Sequence, residues 1–221
     1  ADLLPGGLNE TNYITTATGL RTQVWAYPSR SDCRSCHNAN AGGVLGPRTS
    51  QLNGNLLYPS TGVTDNQLRA LNHIGLFNTN LNEAVIPNLP KTYPLSDTNA
   101  SLELRVRSYL QANCAHCHQP NGANAFFDAR YSTPLTNQNI VGGNVDNNLG
   151  ITGARVVRPQ SLAQSILYLR DSAVGTNIAM PPLAKNLMDT NYIATLVAWI
   201  NSLPPLVDLP NGTPGQFGNT N

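Results

Sequence analysis

The chain has 221 residues, 40% of them hydrophobic and 6% aromatic, which is room for one ordinary domain or two small ones with a real core. Only 11% are charged and the net charge is +1, which excludes charge-driven disorder and leaves no electrostatic footprint for nucleic acid or an anionic membrane. Asparagine supplies the polar surface instead: 28 copies, beside 18 Gly and 16 Pro, favour turns and loops over long regular elements.

No apolar run approaches the roughly 18 residues that cross a bilayer. The opening Ala1-Asp2-Leu3-Leu4-Pro5-Gly6-Gly7 lacks a signal-peptide pattern, so the chain reads as a processed product or as part of something longer.

Residues 25–32 show no amphipathic stripe, so the first cysteine motif, Cys33-Arg34-Ser35-Cys36-His37, is not expected to follow a helix. The stretch 41–49 is loop-like. Thr64 to His73 reads as a short helix with Leu68 and Leu71 inward and Gly75 as its stop. From Ser101 to Leu110, apolar residues at 102, 106, 109 and 110 make a helical stripe that runs into the second motif, Cys114-Ala115-His116-Cys117-His118. Ser161 to Asp171 reads as another helix, with Ile166, Leu167 and Leu169 toward a core. Ile178-Ala179-Met180-Pro181-Pro182-Leu183 follows as a stiff loop. A last helix is capped by Asp189, carries Ile193, Leu196, Val197 and Ile200 on one face, and stops at Pro204-Pro205.

Both cysteine motifs are C-x-x-C-H, the attachment signature of c-type haem. Two thiols three positions apart can each form a thioether to a haem vinyl group, and the next histidine is then placed under the iron. Together the motifs use every cysteine of a chain with four cysteines and four histidines. A zinc site would need four ligands in one place, yet 77 residues separate the pairs, far beyond ribbon spacing. A redox C-x-x-C would sit in a βαβ pattern, which is missing, and adjacent dithiols staple a loop poorly. The expected cofactor is therefore haem c, two per chain, on Cys33 with Cys36 and on Cys114 with Cys117. Because haem c is attached outside the cytoplasmic membrane in bacteria, a periplasmic, extracellular or cell-surface location follows from the cofactor.

Helix, C-x-x-C-H, long loops, Met-Pro-Pro, final helix: in this order residues 99–206 resemble a class I cytochrome c domain. The resemblance implies that the first and last helices cross, that His118 is the proximal ligand and that Met180 is the distal one. The residue types agree, since soft thioether sulfur suits haem iron and only Met180 and Met188 exist, the latter beside the helix cap. The whole chain resembles bacterial di-haem c-type proteins, including cytochrome modules beside or fused to quinoprotein sugar dehydrogenases. In the first half this rests on Tyr27-Pro28-Ser29-Arg30, the Cys33 motif, Leu45-Gly46 with Thr49, and Gln51-Leu52-Asn53. The fold class expected is mainly α with long loops: an N-terminal haem domain over 1–98, a cytochrome c-like domain over 99–206, and a Gly/Asn/Pro-rich tail over 207–221.

For the first iron, His37 is the expected proximal ligand. Residues 1–98 hold no methionine and no histidine besides His37 and His73. His73 is the natural sixth ligand, with Lys91 and tyrosines as weaker competitors; the alternative is that it serves its helix C-terminus. His116, between two attached cysteines, should point away from its own iron. Two saturated irons describe an electron carrier between a redox donor and acceptor, with no substrate chemistry, no nucleic acid and no membrane span. The rival enzyme is a di-haem peroxidase-like protein with one open iron, but carboxylates for acid–base work are scarce near either motif. The low charge and the tail also permit self-assembly into an extracellular cytochrome structure.

Overall fold

The computed structural model describes residues 4–123 and 126–206, so the expected tail over 207–221 lies outside the described residues. Two strands open the chain, β1 (Leu8–Thr16) and β2 (Gly19–Tyr27), in an antiparallel hairpin registered from Leu8↔Tyr27 to Thr16↔Gly19. Threonine, tyrosine, isoleucine, valine and tryptophan suit a pleated ribbon, and Gly19 takes the turn's φ of 121°. Next come α1 (Arg30–Cys36), α2 (Thr49–Leu52), and a second antiparallel hairpin of β3 (Asn55–Tyr58) and β4 (Val63–Asn66), leading into α3 (Gln67–His73). The second half holds α4 (Leu102–Asn113), α5 (Ile166–Ser172) and α6 (Thr190–Ser202).

The architecture is α+β, with about 31% helix, 15% strand and two small antiparallel sheets; the mainly α fold expected from the sequence is corrected. Neither hairpin buries a face. Tyr13 and Leu20 are each 69% exposed, and the apolar/polar alternation that betrays a half-buried strand is accordingly blurred. The helix expected over Thr64 to His73 begins only at Gln67, because 63–66 pairs with 55–58 and Asn66 caps α3 by accepting from the Leu68 N–H at 2.9 Å. The helix expected over Ser161 to Asp171 is broken into a 3-10 turn (Leu162–Gln164) and α5. Buried Ser165 makes the break: its hydroxyl accepts from the Arg158 N–H at 2.9 Å and donates to the Ser161 carbonyl at 2.7 Å.

The main core lies between α4 and α6. Val106, Leu110, Leu196 and Ile200 are fully buried there, and the Tyr109 ring stacks on Tyr192 with centroids 3.7 Å apart. Both helices start at side-chain caps, Ser101 accepting from the Leu104 N–H and Asp189 from the Tyr192 N–H. Of the four residues expected on the inner face of α6, Leu196 and Ile200 are buried, together with Tyr192 and Trp199, while Ile193 and Val197 are half-buried. Polar residues on the buried side of α4 hold the next loop. Arg107 donates to the Tyr131 and Thr133 carbonyls at 2.9 and 2.6 Å, and Gln111 accepts from the Tyr131 N–H at 2.7 Å.

The first half buries less apolar surface and leans on asparagine. Around Leu68 and Ile86, buried Asn53 donates to the Ile86 and Leu89 carbonyls at 3.1 and 3.0 Å and accepts from Asn66 at 2.9 Å. Leu110→Ala should cost about 2–5 kcal/mol of stability, read as a clear fall in Tm. Leu57→Ala, on the exposed hairpin, should change it by less than about 0.5 kcal/mol.

Candidate functional site

The first motif rides on α1. Ser29 and Asp32 form a reciprocal cap at its start: the Asp32 N–H donates to Ser29 Oγ at 3.2 Å, and the Ser29 N–H donates to Asp32 Oδ2 at 2.9 Å. Hydrogen bonds from the Ser29 hydroxyl and N–H hold the Asp32 carboxyl below its ordinary range. Cys33 is exposed and Cys36 half-buried, both free thiols. His37 closes the helix, and its Nδ1 lies 2.8 Å from the Gly43 carbonyl. With Nδ1 donating there, Nε2 is left as the lone-pair nitrogen, the arrangement that orients an imidazole for a metal. His73 is exposed in the last turn of α3.

The second motif leaves the C-terminal end of α4, whose last turn hands the chain to Cys114 and then to His118 through His118 N–H···O=C Cys114 at 2.8 Å. Cys114, Cys117 and His118 line an open cavity of about 160 Å³, and so do Met180, Pro181 and Pro182. Its apolar walls come from Phe127, Val145, Val156, Ile166 and Leu167, with Asp146, Arg170 and Asp171 as charged members. The His118 ring stacks on Phe127 at 4.4 Å, and its buried Nδ1 has no hydrogen-bond partner among the described residues. Burial above all, helped by His116 and Arg170, pushes the His118 pKa down to about 4, so the imidazole is neutral at pH 7. Burial likewise pushes the Cys114 thiol up.

The Met180 loop is pinned from below. Its N–H donates to the Arg170 carbonyl at 3.1 Å, and Lys185 Nζ donates to the Met180 carbonyl at 2.8 Å and to the Asp171 carbonyl. Met188 lies apart, exposed just before the Asp189 cap. Two thiols, a neutral imidazole and a thioether line one apolar cavity, a donor set whose chemistry fits a covalently attached haem. Lys185, Arg170 and Phe127 carried no local sequence signal.

The 77 residues between the motifs do not keep them apart. Ligand atoms of Cys36, His116 and Cys117 all lie within 4.8 Å of one another, and Cys117 Sγ is 3.7 Å from the Ser35 carbonyl. Sequence distance is therefore no guide to spatial distance, and half-buried His116 is placed between the two motifs. Asn40 donates to the Asn121 carbonyl across the same seam, and Asn186 donates to the Val24 carbonyl of β2 at 2.9 Å.

Compared with known protein families, with curated proteins and with solved structures, the chain matches none.

Gly122 backs the second motif at a close approach: a Cβ there would lie 2.0 Å from the Cys117 carbonyl oxygen. Gly122→Ala should push that carbonyl aside and cost about 1–3 kcal/mol in thermal or denaturant unfolding. Asp171 gives a pH test. Burial lifts its pKa from 3.8 to about 6, opposed by the Tyr192 hydroxyl that donates to it at 2.7 Å and by Lys185. A raised carboxyl binds its proton more tightly in the folded chain, so its contribution is complete below about pH 4 and is lost as pH rises through 6. Measured against Asp171→Asn, wild-type stability should fall by on the order of 2–3 kcal/mol across that window.

Proposed function

We propose that the chain is a di-haem c-type cytochrome that carries electrons between redox partners outside the cytoplasm and performs no substrate chemistry. The observation that carries this reading is the single apolar cavity lined at once by Cys114, Cys117, His118 and Met180. Haem iron, when bound, supplies reversible one-electron exchange between its ferrous and ferric states. The chain's own residues do the rest. Cys33 with Cys36 and Cys114 with Cys117 supply the sulfurs for attachment, and His37 and His118 supply imidazole nitrogen. Met180 offers thioether sulfur from a loop fixed by Arg170 and Lys185. Apolar walls limit water at the second site and favour low reorganisation during electron exchange. No helix of the described residues is long and apolar enough to cross a membrane.

A second reading has an observation of its own: Cys36, His116 and Cys117 form a three-ligand group of the kind that holds a thiophilic metal ion. It leaves Cys33, Cys114, His37 and His118 without a role, and repeats of C-x-x-C-H without a reason.

Intact mass separates the two. After acid extraction, protein made with haem-attachment machinery should exceed its 23.7 kDa polypeptide by two haems. A bare mass that shifts on adding zinc would instead favour the metal ion. With both haems on, Met180→Ala should abolish the long-wavelength sulfur-to-iron absorption band, and Met188→Ala should leave it intact.

A further inference from the structure

Residues at equivalent places in the two pentapeptides meet each other. Ser35 and His116 each precede the second cysteine of their motif, and Cys36 and Cys117 are those cysteines. Cys117 Sγ approaches the Ser35 carbonyl at 3.7 Å, while the His116 ring lies within 4.8 Å of both Cys36 and Cys117 sulfurs. His116 also lines two cavities, the one at Cys114 and Cys117 and another against the loop 41–51 that follows the first motif. Half-buried, and held by the Gln119 side chain at its carbonyl, it fills the space between the halves.

We propose that electrons cross between the two sites through the junction of Cys36, His116 and Cys117, with His116 as the positioning residue that holds it. The inference rests on the di-haem reading, in which both sulfurs would be thioether attachment points, and these two sulfurs lie within 4.8 Å of each other. With haem at both sites, one electron would pass from the reduced group to the oxidised one, with Cys36, His116 and Cys117 lying between them. No bond breaks and no proton is transferred. An external one-electron reductant fills the pair and an external one-electron oxidant empties it. Electron tunnelling falls steeply with separation, so a packed ring at the junction sets the rate by fixing that separation and keeping water out.

The experiment uses full-length protein whose mass shows two haems. Circular dichroism in the Soret region should give a bisignate couplet, the mark of two coupled haem transitions. In His116→Ala, with both haems and both sets of ligand bands retained, the couplet should shrink and electron redistribution after flash half-reduction should slow by about tenfold. His116→Phe, which refills the space, should restore both, an outcome that a merely structural loss would not give. Should His116→Ala fail to take up both haems, Asn40→Ala loosens the same seam and should weaken the couplet. A single-signed band in the wild type carrying two haems overturns the junction while leaving the cytochrome reading in place. An unchanged couplet and rate in the loaded variant overturn the part given to His116. A bare polypeptide mass overturns the di-haem reading itself.

Discussion

The packing of α4 against α6 decides where the chemistry of this chain lies. Val106 and Leu110 on one helix and Leu196 and Ile200 on the other are withdrawn completely from water, and Tyr109 stacks on Tyr192 beside them. Because α4 is fixed by that core, its C-terminal end delivers Cys114, Cys117 and His118 to one defined place. The buried Tyr192 on α6 hydrogen-bonds Asp171 at the end of α5, and the same stretch of α5 holds the Met180 loop through Arg170 and Lys185. The cavity is thus bounded by elements whose positions follow from one helix crossing. Loosening that crossing moves floor and wall of the cavity together.

The first half is organised differently. It has few fully buried apolar side chains, and amide side chains such as Asn53, Asn66 and Asn72 tie its turns to backbone carbonyls and to one another. That is the use the chain makes of its many asparagines. A lightly packed, amide-laced half keeps Cys33 and His37 near the surface, whereas the second half places its cavity against a dry core. The two sites therefore differ in solvent exposure, and exposure is one of the levers on a haem potential. Methionine–histidine ligation at the second site would add to the same difference, since thioether sulfur favours the ferrous state.

Much of the second site was legible in the sequence because its signals are local. The spacing of the cysteines, the cap at Asp189, and the proline-stiffened Met180 each announce themselves within a few residues. The strands were not legible, because Tyr13, Leu20 and Trp25 stand exposed and no buried face imposes an alternation on their neighbours. The break at Ser165 is a tertiary choice, made when its hydroxyl finds Arg158 and Ser161. Least legible was the meeting of Cys36 with His116 and Cys117: nothing local in Cys114-Ala115-His116-Cys117-His118 says which surface the first motif will share. Separation in sequence does not by itself keep a metal group from being shared, and the chemistry of all six motif ligands, four thiols and two imidazoles, is the better argument. His73 stands at the exposed end of α3, where a sixth ligand and a helix-terminal histidine would both be found.

The central claim is that both sites are closed, low-spin electron carriers, and a potentiometric titration followed by optical and electron-spin-resonance spectra tests it most directly. The account predicts two reversible one-electron steps, the higher belonging to the Met180 site, with low-spin iron at both sites throughout. A wild-type spectrum in which half the ferric iron is high-spin would contradict it, since an open iron is what a peroxide-using enzyme requires.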